Sequence, residues 1–111
     1  MLASTPKPDT LSSDPVRWLI DQQSFDGAWI LTPEHVLKLT NGKSLQSFQS
    51  TITQSNDVLT TALAIAILES KHSSQKTLWF AVAEKSRQQL LRYGLTKDQA
   101  KALIDEIKVK L

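Results

Sequence analysis

The chain has 111 residues, of which 41% are hydrophobic, and this length and composition predict a single domain with a sizeable core. It carries 13 Lys and Arg against 11 Asp and Glu, and these charges are scattered, so charge gives no case for binding nucleic acid or an anionic membrane. The absence of cysteine excludes disulfides and thiolate metal sites.

Residues 1–13 are rich in Ser, Thr and Pro and hold few apolar side chains. Such a segment cannot bury enough surface to offset the entropy lost on ordering, so it is predicted to be a flexible linker or tail. It has no basic region followed by an apolar stretch, so a signal peptide is not expected. The sequence therefore divides into this tail and a helical domain over residues 14–111.

Two helices are predicted on either side of an aromatic turn. Asp14-Pro15 combines a favourable N-cap with a proline at the first helical position, so the first helix should begin there. Thr32-Pro33 repeats this signal for a second helix, and Asn41-Gly42 should end it. The intervening segment Gln23–Trp29 reads Gln-Ser-Phe-Asp-Gly-Ala-Trp. Within it, Asp26-Gly27 predicts a tight turn, because glycine adopts positive φ without steric cost.

The middle of the chain predicts a short helix followed by a strongly apolar one. Ser44 should cap the short helix, with Leu45, Phe48 and Ile52 on one face. Asn56-Asp57 should start the second, whose apolar residues surround it almost completely: Leu59, Ala62, Leu63, Ala64, Ile65, Ala66, Ile67 and Leu68. A helix that is apolar on most sides is usually the buried centre of a bundle. Its apolar run is far shorter than the ~20 residues that a membrane span needs.

Two further helices are predicted after the break at Ser73-Ser74. The first should run from about Gln75 to Tyr93, with these residues facing inward: Leu78, Trp79, Val82, Ala83, Ser86, Leu90 and Leu91. Gly94 is a suitable C-terminal cap, and Thr96–Gln99 reads as a capping box for the last helix. The apolar face of that helix comprises Ala100, Leu103, Ile104, Ile107 and Leu111. No segment alternates convincingly like a strand, so we predict an all-α fold, a compact bundle of five to six helices with short loops and a disordered N-terminal tail.

Three sequence blocks, in order, resemble a known family. They are Gln23–Trp29 with Leu31 and Thr32-Pro33-Glu34, then Asp57 with Thr61–Ala64 and Leu68-Glu69, then Leu78-Trp79 with Val82–Lys85. Together they resemble the C-terminal domain of von Willebrand factor A-domain proteins that also carry a vault protein inter-alpha-trypsin domain. A similar domain of vault poly(ADP-ribose) polymerase interacts with the major vault protein. The resemblance covers about residues 15–111. Leu59 stands where the family often has Trp, and Gln22 where it often has Leu.

The resemblance implies a non-catalytic protein–protein interaction domain, of the type called the MINT domain, within a larger cytoplasmic protein. Its implied partner is the major vault protein, which would bring the host protein to vault particles. Two alternatives remain open at this point. The domain could pack structurally on its own von Willebrand factor A-type chain, or it could be a small helical nucleic-acid binder. No membrane, cofactor or small-molecule substrate is expected.

Five residues are predicted to contact the partner: Phe25, Asp26, Trp29, Phe48 and Phe80. The aromatics of the turn have a second interpretation, in which they fill the core between the first and second helices. Adjacent helical residues point about 100° apart, so Phe80 should lie near the surface if Trp79 belongs to the core. An exposed aromatic residue is a better partner contact than a buried one.

The sequence offers no catalytic or metal site. His35 and His72 lack ligands at metal-binding spacing, and both are predicted to be solvated surface residues. Asp21 and Asp26 are better explained as charges beside a turn than as a catalytic carboxylate pair. No nucleophile elbow, phosphate loop or zinc-binding motif is present. The lysines of the last helix alternate with acidic residues, which is typical of a solvated face with weak ion pairs.

Overall fold

The computed structural model describes residues 14–111, and the predicted flexible segment 1–13 lies outside the described residues. Residues 14–111 fold into α-helices and 3₁₀ helices joined by short loops, with no strand in that range. The α-helices are α1 (Pro15–Gln22), α2 (Pro33–Leu39), α3 (Asn56–Lys71), α4 (Lys76–Arg92) and α5 (Lys97–Lys110). The 3₁₀ helices are η1 (Leu45–Phe48) and η2 (Ser73–Gln75). The predicted all-α bundle is confirmed.

Local sequence signals set most of the helix starts. The Asp14 carboxylate accepts a hydrogen bond from the Arg17 amide at 3.2 Å and caps α1. Thr96 and Gln99 form the predicted capping box at α5. Each cap satisfies backbone N–H groups that have no partner inside the helix. Helix α3 begins at Asn56, as predicted, and Ser55 is its N-cap.

Helix α3 is the centre of the bundle. Every residue from Val58 to Leu68 is buried, as its apolar pattern predicts. Helices α4 and α5 pack closely on α3 but lie against each other over a much smaller area. Three alanines on α3 (Ala62, Ala64 and Ala66) are fully buried and let these neighbours approach closely. The remaining sides of α3 are covered by the chain from α1 to η1.

Two predictions about helix faces are corrected. Leu78 was expected to face the core, but its side chain is 60% exposed. It lies about 100° from the buried Trp79 around α4, and Trp79 is the residue that turns inward. The predicted short helix containing Ile52 ends earlier, since η1 stops at Phe48. Ile52 is only partly buried, packed against the edge of the core.

Candidate functional site

The segment Gln23–Trp29, which we call the aromatic turn, is held by hydrogen bonds within itself. The Ser24 amide donates to the Ala28 carbonyl at 2.8 Å, and the Gly27 amide donates to the Ser24 carbonyl at 2.9 Å. The Asp26 carboxylate accepts a hydrogen bond from the Ala28 amide at 3.0 Å. These three bonds link residues 24–28 to one another and close a tight turn.

Trp29 anchors the inner end of the aromatic turn to the core. Its side chain is fully buried, and its indole N–H donates to the Leu19 carbonyl of α1 at 2.7 Å. Its backbone amide donates to the Thr61 hydroxyl at 3.1 Å, and its carbonyl accepts from the Thr60 hydroxyl at 2.6 Å. Both threonines belong to α3, so the turn is attached to α1 and to the central helix at once.

Helix α4 holds the middle of the aromatic turn through polar contacts. The Ser86 hydroxyl donates to the Gly27 carbonyl at 2.5 Å. The Gln23 side-chain amide donates to that hydroxyl and to the Val82 carbonyl, each at 2.7 Å. Gly27 has φ of +101°, and a Cβ built there would lie 2.7 Å from the Lys85 carbonyl oxygen. Glycine is therefore required twice over, by the left-handed backbone and by the close approach to α4.

Phe25 lies at the outer end of the same turn and is 96% exposed. The Lys85 ammonium lies 5.2 Å from the centre of its ring, within the range of a cation–π contact. Leu78 and Ala81 are both exposed. Leu78 lies about two turns before Lys85 in α4 and Ala81 about one turn before it, so the three residues share one side of that helix. We call Phe25, Leu78, Ala81 and Lys85 the Phe25 face. Leu78, Ala81 and Lys85 form its helical part, on a side of α4 turned away from the buried Trp79, and Phe25 lies beside Lys85.

Phe80 lies on another side of α4 from the Phe25 face. Its ring is 47% exposed, while the preceding Trp79 is buried, as helix geometry predicts. The Lys76 ammonium lies 5.3 Å from the Phe80 ring centre. Both exposed phenylalanines thus have a lysine beside the ring, which combines an apolar surface with a positive charge.

The structure separates the five predicted contact residues into two groups. Phe25, Asp26 and Phe80 are exposed and available to a partner. Trp29 and Phe48 are fully buried, so their prediction as contact residues is corrected. Trp29 is sealed by α1 and α3, and Phe48 belongs to η1, which packs against α3 and α5. The alternative interpretation as a core residue is confirmed for Trp29 and is wrong for Phe25, whose side chain is 96% exposed.

A second surface feature is a groove between α4 and α5, which the sequence reasoning missed. It has a volume of about 530 Å³, and its apolar floor includes Leu91, Ala100 and Ile104. The groove lies between two helices that both pack closely on α3 and only loosely on each other. The sequence signal is a pair of helical stripes, with Glu84, Arg87 and Leu91 on α4 facing Lys97, Lys101, Ile104 and Lys108 on α5.

Ion pairs join three helices at one end of this groove. Glu69 of α3 pairs with Arg87 of α4, and it also pairs with Lys108 of α5 at 2.6 Å. Arg87 makes a further ion pair with Glu84 at 2.6 Å. Burial lowers the pKa of the Arg87 guanidinium from its ordinary value. The predicted ion pairs within α5 also occur, and the pair between Lys101 and Asp105 is an example.

The His35 side chain has a structural role. His35 is half-buried, and its ring meets the Trp18 ring edge-on with 4.6 Å between their centres. Its Nδ1 accepts a hydrogen bond from the Thr32 amide and completes the cap of α2. The prediction of a fully solvated His35 is therefore corrected. Burial lowers the pKa of His72, and the neighbouring Lys71 lowers it further.

Within residues 14–111, no group of three or more His, Asp or Glu residues is arranged to hold a metal ion. No helix in the described part of the chain is long and apolar enough to cross a membrane. Two surface features of the described residues have a geometry suited to recognition, the Phe25 face and the α4–α5 groove. Comparison with known proteins finds no matching family model, curated protein or solved structure.

Proposed function

We propose that this domain is a non-catalytic protein–protein interaction module that docks its partner on the Phe25 face. The observation that carries the proposal is the exposure of Phe25 at the tip of a rigid turn. The turn is fixed by contacts that involve Gln23, Gly27 and Trp29, and none of them needs an aromatic ring at position 25. The ring adds little to folding, and its exposure is best explained by an external contact.

The energetics of recognition support this role for Phe25. Burying a Phe side chain stabilises a complex by roughly 1.5–3 kcal/mol relative to leaving it in water. A residue held on a rigid turn loses little entropy on binding, so more of that free energy contributes to affinity. Aromatic and positively charged side chains are frequent energetic centres of interfaces. Phe25 with Lys85, and Phe80 with Lys76, provide both chemistries.

The proposed partner is the major vault protein, and this choice comes from the resemblance of the three sequence blocks to the vault-interaction family. On this proposal the domain belongs to a larger cytoplasmic protein and brings it to vault particles. Phe25 and Asp26 lie in the first of those blocks, and Lys85 ends the third. The Phe25 face therefore combines residues from two blocks that carry the resemblance.

The experiment is a binding titration of the domain with purified major vault protein, followed by calorimetry or by pull-down. We expect Phe25→Ala to weaken binding about tenfold or more, as loss of an aromatic hot spot does. Phe80→Asp should weaken it to a smaller extent, because Phe80 lies on another side of α4 and meets only the part of the partner that extends around the helix. Val109→Ala is the matched control, because Val109 is 87% exposed on α5 and its truncation also removes an exposed apolar group.

Two results would contradict this proposal. Absence of binding at high micromolar concentration would exclude the major vault protein as the partner. Unchanged binding by a folded Phe25→Ala variant would exclude the Phe25 face. If the domain instead packs on its own chain, a hydrophobic dye should bind the isolated domain strongly and the full-length protein weakly. Phe25→Ala should then reduce dye binding by the isolated domain only.

A further inference from the structure

We infer that the α4–α5 groove is a second docking site, and that it takes an amphipathic helix of a partner protein with acidic side chains along one edge. This inference goes beyond the proposed function, because the groove and the Phe25 face use different sides of α4. Its first support is shape. The lining residues of α5 extend from Lys97 to Lys108, which is about 16 Å or three turns of a helix. A groove of that length between two helices fits the side of a third helix.

The chemistry of the groove matches an amphipathic ligand. Its floor contains Leu91, Ala100 and Ile104, and its edges carry charged side chains. Ala100 is small and lies one turn from Lys97, so it leaves space toward that end of the groove for an apolar side chain of the ligand. The ligand's apolar positions would recur every three or four residues, which is the spacing that places side chains on one side of a helix.

The charged side chains that line the groove favour a ligand with acidic side chains along one edge. At one end, Glu69 and Glu84 balance Arg87 and Lys108 through ion pairs. At the other end, the exposed Lys97 makes no ion pair within residues 14–111. The Lys101 side chain beside it is 78% exposed, although it contacts Asp105. The N-terminus of α5 adds the positive end of its dipole to the same place.

The test uses two designed helical peptides of about 18 residues, long enough to span the groove. Both carry leucines at helical spacing; one has glutamates along one edge, and the other has lysines at those positions. We expect the glutamate peptide to bind the intact domain about tenfold more tightly than the lysine peptide. Titration should shift the amide resonances of Leu91, Ala100 and Ile104 more than that of Phe25.

A charge reversal provides the decisive comparison. The double variant Lys97→Glu/Lys101→Glu should invert the preference, so that the lysine peptide binds more tightly, because rim charges act through complementarity. The double variant Arg17→Glu/Lys71→Glu changes the net charge equally at exposed positions outside the groove and should keep the original preference. Thermal unfolding of each variant establishes that it is folded, which is expected because Lys97 and Lys101 are exposed.

The inference is overturned if both peptides bind the intact domain equally, or if the resonance shifts gather around Phe25. It is also overturned if the Lys97→Glu/Lys101→Glu variant keeps its preference for the glutamate peptide. These results say nothing about the Phe25 face, because Phe25→Ala leaves the groove intact. Conversely, loss of major vault protein binding in Phe25→Ala with normal peptide binding would support both sites independently.

Discussion

The aromatic turn and the α4–α5 groove are two surfaces built in opposite ways. The turn is fixed by backbone hydrogen bonds and by the buried Trp29, and it presents Phe25 at a defined place. The edges of the groove carry long, exposed side chains such as Lys97 and Lys101. Lys101 forms an ion pair with Asp105, whereas Lys97 forms none within residues 14–111. The first surface is pre-organised, while the second can adapt its edges to a ligand.

This difference predicts where mutations will act on stability. The turn shares its anchoring residues with the core, so changes at its inner side should destabilise the whole domain. The charged side chains at the edge of the groove lie outside the core, so changes there should cost little stability. Both surfaces should lose function when their exposed residues are changed. The following predictions test this contrast, beginning with the largest effect.

Trp29→Ala should lower the free energy of unfolding by about 3–5 kcal/mol, because it removes a large, fully buried side chain and leaves a cavity. It also removes the hydrogen bond to the Leu19 carbonyl. Phe25→Ala is the matched control from the same segment and should change stability by less than about 0.5 kcal/mol. Urea unfolding followed by circular dichroism measures both. Similar losses in the two variants would refute the division of the turn into an inner and an outer side.

Gly27→Ala should cost about 2 kcal/mol or more, for two separate reasons. Alanine is strained at φ of +101°, and its Cβ would lie 2.7 Å from the Lys85 carbonyl oxygen. Gly42→Ala isolates the first reason, because Gly42 has the same φ and no atom within 4 Å of a built Cβ. Chemical denaturation gives the loss in free energy of unfolding for each variant. The difference between the two losses measures the cost of the close approach between the turn and α4. Equal losses would mean that the turn moves away from α4 at no cost.

Ser86→Ala should cost about 1–3 kcal/mol, because it deprives the Gly27 carbonyl and the Gln23 amide of a fully buried partner. Ser70→Ala is the control. The Ser70 hydroxyl is bonded to the Ala66 carbonyl of its own helix at an exposed position, so its loss should be nearly neutral. Thermal melts compare the two. A neutral Ser86→Ala would show that α4 holds the turn by packing alone.

Arg87→Ala should have the smallest effect on stability, about 1 kcal/mol, since Glu69 keeps its ion pair with Lys108. The loss should shrink in high salt, because the ion pairs are partly exposed and therefore screened. Unfolding midpoints at low and high salt measure this dependence. Lys101→Ala breaks one exposed pair and should cost less. A loss as large as that of Trp29→Ala would place the groove within the folding core.

Much of the fold follows from short-range sequence signals. The caps at Asp14 and Thr96 act within four residues. The apolar residues on nearly all sides of α3 can be identified from its sequence alone. The same reasoning placed Phe80 outward by its position next to Trp79. The predictions that were wrong concerned residues whose burial depends on long-range packing. Phe48 is buried only because η1 lies between α2, α3 and α5, an arrangement that no local pattern encodes.

The candidate site was only half predictable for the same reason. The Asp26-Gly27 turn is a local signal, but the outcome for its two aromatic residues depends on which elements cover them. Trp29 meets α1 and α3, while Phe25 meets only Lys85 in a ring contact. The groove depends on how far α4 and α5 separate above α3. The sequence shows the stripes of charged residues on each helix. The spacing of residues within one helix does not give the distance between α4 and α5.

The backbone contact between Gly27 and Lys85 makes position 25 independent of the fold around it. The turn docks on α4 through main-chain atoms and through Ser86, so the side chain at position 25 does not set where the loop lies. Exchanging Phe25 for another residue should change the group that is displayed while its location stays constant. The domain would then serve as a scaffold on which binding specificity can diversify, in evolution or in a selected library, at almost no cost in stability.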